Sequence, residues 1–141
     1  MRVAIANRGE VAFRIIRACQ ELGFESILLH STADRGTKAF RAADQTVELT
    51  GDTSLETYLN IPKVVEAAVS AGAQMLHPGF GFLSENAAFA SALSDAGIIF
   101  VGPPADVIAA AGNKVKAKEL AVKAGVPTTP AYIGSETDPK K

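Results

Sequence analysis

Five short apolar runs, most of them separated by a segment of helical period, constrain this chain more than any other feature. They are Val3–Ala6, Ser26–His30, Thr46–Leu49, Gln74–His77 and Ile98–Val101. Each is too short for an ordinary helix and apolar enough for a buried strand. Between them the period becomes helical: Glu10–Leu22 ahead of Gly23, a short segment over Thr37–Ala42, Ile61–Ala71 with Pro62 in its first turn, and Glu85–Ala96 ahead of Gly97. Proline is tolerated in a first turn, and glycine ends a helix. Short apolar strands alternating with helices predict an α/β fold, a short parallel sheet with helices on both faces.

The pattern changes at Pro103-Pro104. Two helical stretches follow, Ala105–Ala111 and Lys114–Ala124, separated by Gly112-Asn113, and then a proline-rich, finally charged run, "GVPTTPAYIGSETDPKK". A boundary is expected near residue 103, and the chain reads as the opening of something larger. Its 141 residues give room for one ordinary domain and part of a second. With 48% hydrophobic and 21% charged residues it is globular, too apolar for disorder. Fourteen basic residues against fifteen acidic ones leave a net charge of -1, which gives no footprint for nucleic acid or an anionic membrane. The single cysteine, Cys19, excludes an internal disulfide framework and fits a reducing compartment. No apolar run reaches membrane-spanning length, and the start "MRVAIANRGE" turns polar too early for a signal peptide. A cytosolic domain is the expectation.

In such a fold the first strand-to-helix turn is where a dinucleotide fingerprint would sit. Here it reads "IANRGEVAFRI", with one glycine where the fingerprint has three. The pyrophosphate needs close backbone approach at the second glycine, and Glu10 would set negative charge at the helix start. The fold is therefore expected to be Rossmann-like without a dinucleotide fingerprint. Glu10 itself suits the positive end of the helix dipole.

On a helical wheel, Glu10–Leu22 turns Val11, Ala12, Ile15, Ile16, Ala18, Cys19 and Leu22 to one face, with Glu10, Arg14, Arg17, Gln20 and Glu21 opposite and Phe13 among them. Cys19 then reads as a core residue. Arg17 and Glu21 have the i,i+4 spacing of a solvated ion pair, and a phenylalanine beside arginine on an outer face fits a subunit contact equally well. His30 and His77 are the only histidines and there is no CxxC, so no metal constellation is legible. No serine stands in a G-x-S-x-G elbow. His77 reads first as a hydrogen-bonded residue at a strand end, with a catalytic histidine as the less favoured alternative.

Two stretches carry sharper signals. Asn113 is a good N-cap, which sets Lys114 in a first helical turn, where anions gather and a lysine strengthens a phosphate site; the alternative is a lysine that bends into water. "HPGFGFLSEN", His77 to Asn86, leaves an apolar strand through two glycines and two phenylalanines. Glycine permits positive φ and close approach, and phenylalanine is unusual in a solvated loop. The stretch reads either as a loop built to approach a partner or as a tight turn packed beneath its own helix.

Together, "RVAIANRGEVAFRIIRACQELG", "LNIPKVVEAA", "HPGFGFLSEN" and "FVGPPADVIAAAGNKVKAKELAVKAGVPTTP" resemble the N-terminal part of biotin carboxylase. That component or domain opens acetyl-CoA, propionyl-CoA and pyruvate carboxylases. The resemblance runs in order from Arg2 to about Pro130. It implies a domain preceding an ATP-grasp fold over 1–103, a helical linker over 104–130, and the start of the ATP-grasp lid region over 131–141.

The implied chemistry uses ATP, bicarbonate and Mg2+ to make carboxyphosphate and then carboxylate biotin on a carrier protein. By the same resemblance Lys114 matches the lysine that contacts ATP phosphate, with Asn113 in place of the usual aspartate. Phe80 and Gly81 match the loop beside the biotin ring, where tyrosine-glycine is frequent; Phe80 keeps the aromatic surface and lacks the hydroxyl. Phe13, Arg17 and Glu21 fall on a strip implied to meet a second copy in a homodimer. The implied partners are a biotin carboxyl carrier domain or protein and a carboxyltransferase component, with no nucleic acid and no membrane. The metal-binding carboxylates and the catalytic arginine are implied to lie beyond residue 141, so no catalytic residue or metal ligand is expected within the chain, and alone it is expected to be inactive. The implied location is the cytoplasm, or the mitochondrial matrix in a eukaryote. A non-catalytic binding or assembly module with the same fold is the alternative.

Overall fold

The computed structural model describes residues 1–130; the stretch expected to begin the lid region, 131–141, lies outside them. Strands β1 (Arg2–Ile5), β2 (Glu25–His30), β3 (Gln45–Glu48), β4 (Met75–His77) and β5 (Ile99–Phe100) form one five-stranded sheet in the order β3-β2-β1-β4-β5. Every pairing is parallel, and the register sets Ile5 beside Leu28 on one side and beside His77 on the other.

Side chains alternate across a strand, so neighbouring residues of β1 serve opposite faces of the sheet. Val3 and Ile5 pack with Leu28 under α1 (Gly9–Leu22), which contributes Ala12, Ile15, Ile16 and Cys19, and under α2 (Lys38–Ala42), which contributes Ala39. Ala4 and Ala6 pack with Ile27 and Leu29 under α3 (Ile61–Ser70), through Val64 and Ala68, and α4 (Ala87–Asp95), through Phe89 and Leu93. Both faces are dry, which is why β1 and the middle of β2 are apolar without a polar alternation.

Side-chain caps set where several helices begin. The amide oxygens of Asn60, Asn86 and Asn113 accept from the backbone N–H groups of Lys63, of Phe89, and of both Val115 and Lys116. The Asn86 cap starts α4 at Ala87, two residues after the expected Glu85, because residues 82–85 are spent on turns. Leu22, expected on the inward face of α1, is 66% exposed. The helix stops there at Gly23, and Phe24 packs against the core in its stead.

Helices α5 (Ala105–Gly112) and α6 (Lys114–Lys123) leave the layered body. α5 is anchored through the buried Ile108, whereas α6 buries none of its residues and leaves Val115, Leu120 and Val122 exposed. Among the described residues no helix is long and apolar enough to cross a membrane.

Candidate functional site

Because the strands are parallel, β1, β2 and β4 all end on the same edge of the sheet. From β1 the chain winds outward through β2 to β3, then crosses back to β4, so the direction of winding reverses between β1 and β4. The crevice outside such a reversal is the usual ligand site of an open α/β sheet. Two segments meet there: Asn7-Arg8, leaving β1, and His77 to Phe82, leaving β4.

Asn7 joins them. Its side chain is 3% exposed, and its amide Nδ2 donates to the carbonyl oxygens of Pro78 at 2.8 Å and Phe80 at 2.9 Å. Its Oδ1 accepts from the backbone N–H of Arg8 at 2.9 Å. Both ends of the amide are thus satisfied, as burial requires. Gly79 lies between the two carbonyls with φ +68°, and a Cβ there would come within 2.6 Å of Asn7 Nδ2 and 2.8 Å of Val11 Cγ1. Only glycine fits, for conformation and for space. At Gly81, φ is +72° and the surroundings are open, so conformation alone selects glycine.

The far end of the loop is held differently. Phe82 has φ +42°, a left-handed backbone that a bulky residue adopts only when its surroundings impose it. Its ring stacks on Tyr58, with centroids 4.8 Å apart and planes 18° from parallel. The Tyr58 hydroxyl donates to Asp34 Oδ2 at 2.8 Å and accepts from the backbone N–H of Ser31 at 3.0 Å. Ser31 Oγ also donates to Asp34, and the Arg8 guanidinium pairs with Asp34 Oδ1 at 2.8 Å. The contacts therefore close a ring, from Asn7 through the loop to Tyr58, Asp34 and Arg8, and back to Asn7 along the chain.

The electrostatics follow from this ring. Burial of Asp34 disfavours its charge, but the hydroxyls of Ser31 and Tyr58 together with Arg8 outweigh it and hold the carboxyl below its ordinary value. Burial, reinforced by the neighbouring Asp34, pushes the Tyr58 phenol up to about 12. His77 Nδ1 accepts from the backbone N–H of Gly79 at 3.0 Å, and desolvation lowers its pKa, so the neutral ring is the form that supports the loop. His77 is a hydrogen-bonded strand-end residue, as the sequence predicts.

Between its two anchors the loop presents Phe80, 81% exposed, and the exposed Gly81. Phe80 forms the lip of an open groove of about 510 Å³, floored by Val11, Ile15 and Ala18 of α1 and flanked by Glu10, Arg14 and His77. The groove offers an apolar floor and an aromatic wall to a flat ligand, with one acid and one base at its rim.

The other expected site residues are dispersed. Lys114 is exposed in the first turn of α6, just past the Asn113 cap. A cavity of about 300 Å³ lies between Ser84-Glu85, at the end of the glycine loop, and α5 as far as Gly112, two residues before Lys114. Arg17 and Glu21 are exposed and approach at 3.8 Å. Phe13, expected among the outer polar residues, is half-buried: it packs against the core, and Lys38 of α2 caps its ring with Nζ 4.4 Å from the centroid. The wheel could not anticipate α2 folding over this side of α1. Sequence reasoning also missed Asn7, Asp34 and Tyr58. The one available signal for them was that a loop with two positive-φ glycines needs an anchor outside itself.

The chain resembles known proteins over nearly its whole length. Residues 1–108 match the family model of the biotin carboxylase N-terminal domain. The biotin carboxylase of Haemophilus influenzae is 50% identical over 133 residues, which is 94% of this chain and 30% of that protein. A solved biotin carboxylase domain of a single-chain bacterial carboxylase superposes with a TM-score of 0.90 at 44% identity, covering 96% of this chain and 31% of the other. The biotin carboxylase domain dimer of the Hydrogenobacter thermophilus 2-oxoglutarate carboxylase, in complex with MgADP, ADP and bicarbonate, gives 0.91 at 41% identity, over 97% of this chain and 30% of that one. The chain thus spans about 30% of the length of these three relatives. With more than two thirds of its residues inside the family model and the same α/β architecture, the chain belongs to the biotin carboxylase N-terminal domain family.

Proposed function

We propose that this chain is the amino-terminal part of an ATP-dependent biotin carboxylase, in which it supplies one wall of the biotin pocket and one cation for ATP phosphate. Residues 1–103 serve as the domain preceding the ATP-grasp fold, and 104–130 as the helices that lead into it. The observation that carries this reading is the loop from Pro78 to Phe82: pinned at both ends, it leaves Phe80 and Gly81 exposed beyond the end of β4, with Phe80 walling the groove against α1.

The residues fit the ligands in unequal measure. Phe80 and the apolar floor of Val11, Ile15 and Ala18 suit the ring system of biotin, and the open backbone at Gly81 lets a reacting carboxyl group come close. The Lys114 ammonium at the start of α6 suits a phosphate. Among the described residues no three His, Cys, Asp or Glu side chains gather to hold a metal ion. Mg2+ and the rest of the nucleotide would be held by other parts of the enzyme. ATP, when bound, supplies the phosphoryl group that activates bicarbonate for transfer to biotin. The exposed apolar residues Val107, Val115, Leu120 and Val122 on α5 and α6 support a cover of further protein there.

The partners that follow are a biotin carrier, a carboxyltransferase component and a second copy of the enzyme, met through the Arg17-Glu21 side of α1 with Phe13 beneath it. ATP cleavage by the complete enzyme tests the reading. It is expected to require bicarbonate and Mg2+ and to accelerate with free biotin; cleavage indifferent to both bicarbonate and biotin would overturn it.

A further inference from the structure

We propose that Asn7 is a positioning residue for biotin carboxylation: its buried amide clamps the Phe80 loop so that the pocket wall exists before biotin arrives. The inference rests on the reading of Phe80 and Gly81 as that wall.

The geometry assigns Asn7 this part in three ways. Its Nδ2 carries two N–H bonds, and both go to carbonyls of the one loop, on either side of Gly79. Its Oδ1 is fixed by the backbone of Arg8, so the amide cannot turn over without losing all three contacts. Gly79 packs directly against it, with no room for another atom. Phe80, by contrast, has an exposed side chain, and the carbonyl bond to Asn7 anchors the residue that carries it. Beyond it Phe82 is held by its stack on Tyr58, so Asn7 fixes the near end of the wall and Tyr58 the far end.

A wall fixed in advance lowers the ordering cost of binding and keeps the reacting atoms in line. A loop free to sample other positions binds biotin less well, with little change at a nucleotide site elsewhere in the enzyme. Removing the clamp should therefore act on biotin and spare ATP.

The test is steady-state kinetics of biotin-dependent ATP cleavage by the complete enzyme, with free biotin as the varied substrate, for the parent, Asn7→Asp and Phe82→Leu. Asn7→Asp keeps the size and the acceptor but turns a carboxylate towards two carbonyls. Phe82→Leu keeps apolar bulk and loses the stack. The expected result is a KM for biotin raised about tenfold or more in Asn7→Asp and severalfold in Phe82→Leu, with the KM for ATP within twofold of the parent's. If Asn7→Asp does not fold, as read by its thermal transition, Asn7→Ser, which leaves at most one donor for the two carbonyls, is read on the same split in its place. Folded variants with an unchanged KM for biotin, or with both KM values raised alike, would overturn the inference. A parent enzyme whose ATP cleavage ignores biotin would overturn the reading beneath it, and the inference with it.

Discussion

The side-chain amide of Asn7 donates to the carbonyl oxygen of Phe80 at 2.9 Å, across 73 positions of sequence. That bond ties the end of the first strand to the loop after the fourth and makes the two loops of the crevice one unit. Its neighbour Gly79 gives the first prediction. Gly79→Ala forces a Cβ against Asn7 and Val11 at a left-handed φ, whereas Gly81→Ala meets only the φ penalty. The left-handed conformation costs about 1–2 kcal/mol, and overpacking adds about 1–3 kcal/mol. Chemical denaturation should find Gly79→Ala clearly the less stable of the two; equal losses would mean that the loop does not lean on Asn7.

Acid should loosen the same region in two steps. His77 has a depressed pKa in the folded state, so its contribution is present above the ordinary histidine value of 6.5 and fades as pH falls below it, when Nδ1 gains a proton and can no longer accept from Gly79. Asp34 also has a lowered pKa; its contribution is present above the ordinary carboxylate value of 3.8 and is lost only in stronger acid. Amide exchange around Gly79, corrected for intrinsic rates, should rise first, with the Tyr58 hydroxyl contact to Asp34 surviving to lower pH. Simultaneous loss of both would contradict the separate causes.

Lys114→Ala in the complete enzyme should weaken nucleotide binding, since a charge-assisted phosphate contact contributes about 1.5–3 kcal/mol. The exposed ammonium is not tied into the α6 cap, which Asn113 provides alone, so the fold should be unaffected. An unchanged nucleotide dissociation constant would show the lysine to be merely solvated.

Arg17→Glu separates a subunit contact from a solvated pair. The pair is exposed on both sides, and a surface change of this kind shifts stability by no more than about 0.5 kcal/mol. Sedimentation of the complete enzyme should nevertheless detect a weaker dimer, because the new charge repels across the contact. A dimer as tight as the parent's would mean that this strip faces water. The strip alone offers Arg17 and Glu21 over a half-buried Phe13, less than the roughly 1,000 Å² expected of a stable contact, so the isolated chain should sediment as a monomer or weak dimer.

Much of the fold was legible because its signals are local. Strand runs, helical period and the cap at Asn113 act within a few residues, and the parallel sheet follows from their alternation; the cap at Asn86, which starts α4 two residues later than expected, was not read. The site was legible only in part. Phe80 and Gly81 stand out as an aromatic and a glycine where a loop should be polar. Asn7 carries no such mark, since an asparagine after a strand is ordinary turn chemistry and its partners lie 71 and 73 positions away. Tyr58 lies in a stretch without regular period, and Asp34 in a polar loop that proves to hold a short 3-10 turn over Thr32–Asp34. Phe13 was misplaced for the same reason: a helical wheel shows directions, and only the tertiary fold shows that α2 covers one of them.

Transfer of labelled bicarbonate to free biotin, measured side by side for the complete enzyme and for residues 1–141 alone, bears on the whole reading at once. The complete enzyme should form carboxybiotin only when ATP and Mg2+ are present, and a Phe80→Ala variant should form it with a raised KM for biotin. The isolated chain, which on the proposed reading brings only one phosphate cation and one pocket wall, should form none above a protein-free control. Labelled biotin made by the isolated chain, or none made by the folded complete enzyme, would contradict the assignment of this chain as the non-catalytic wall of a biotin carboxylase.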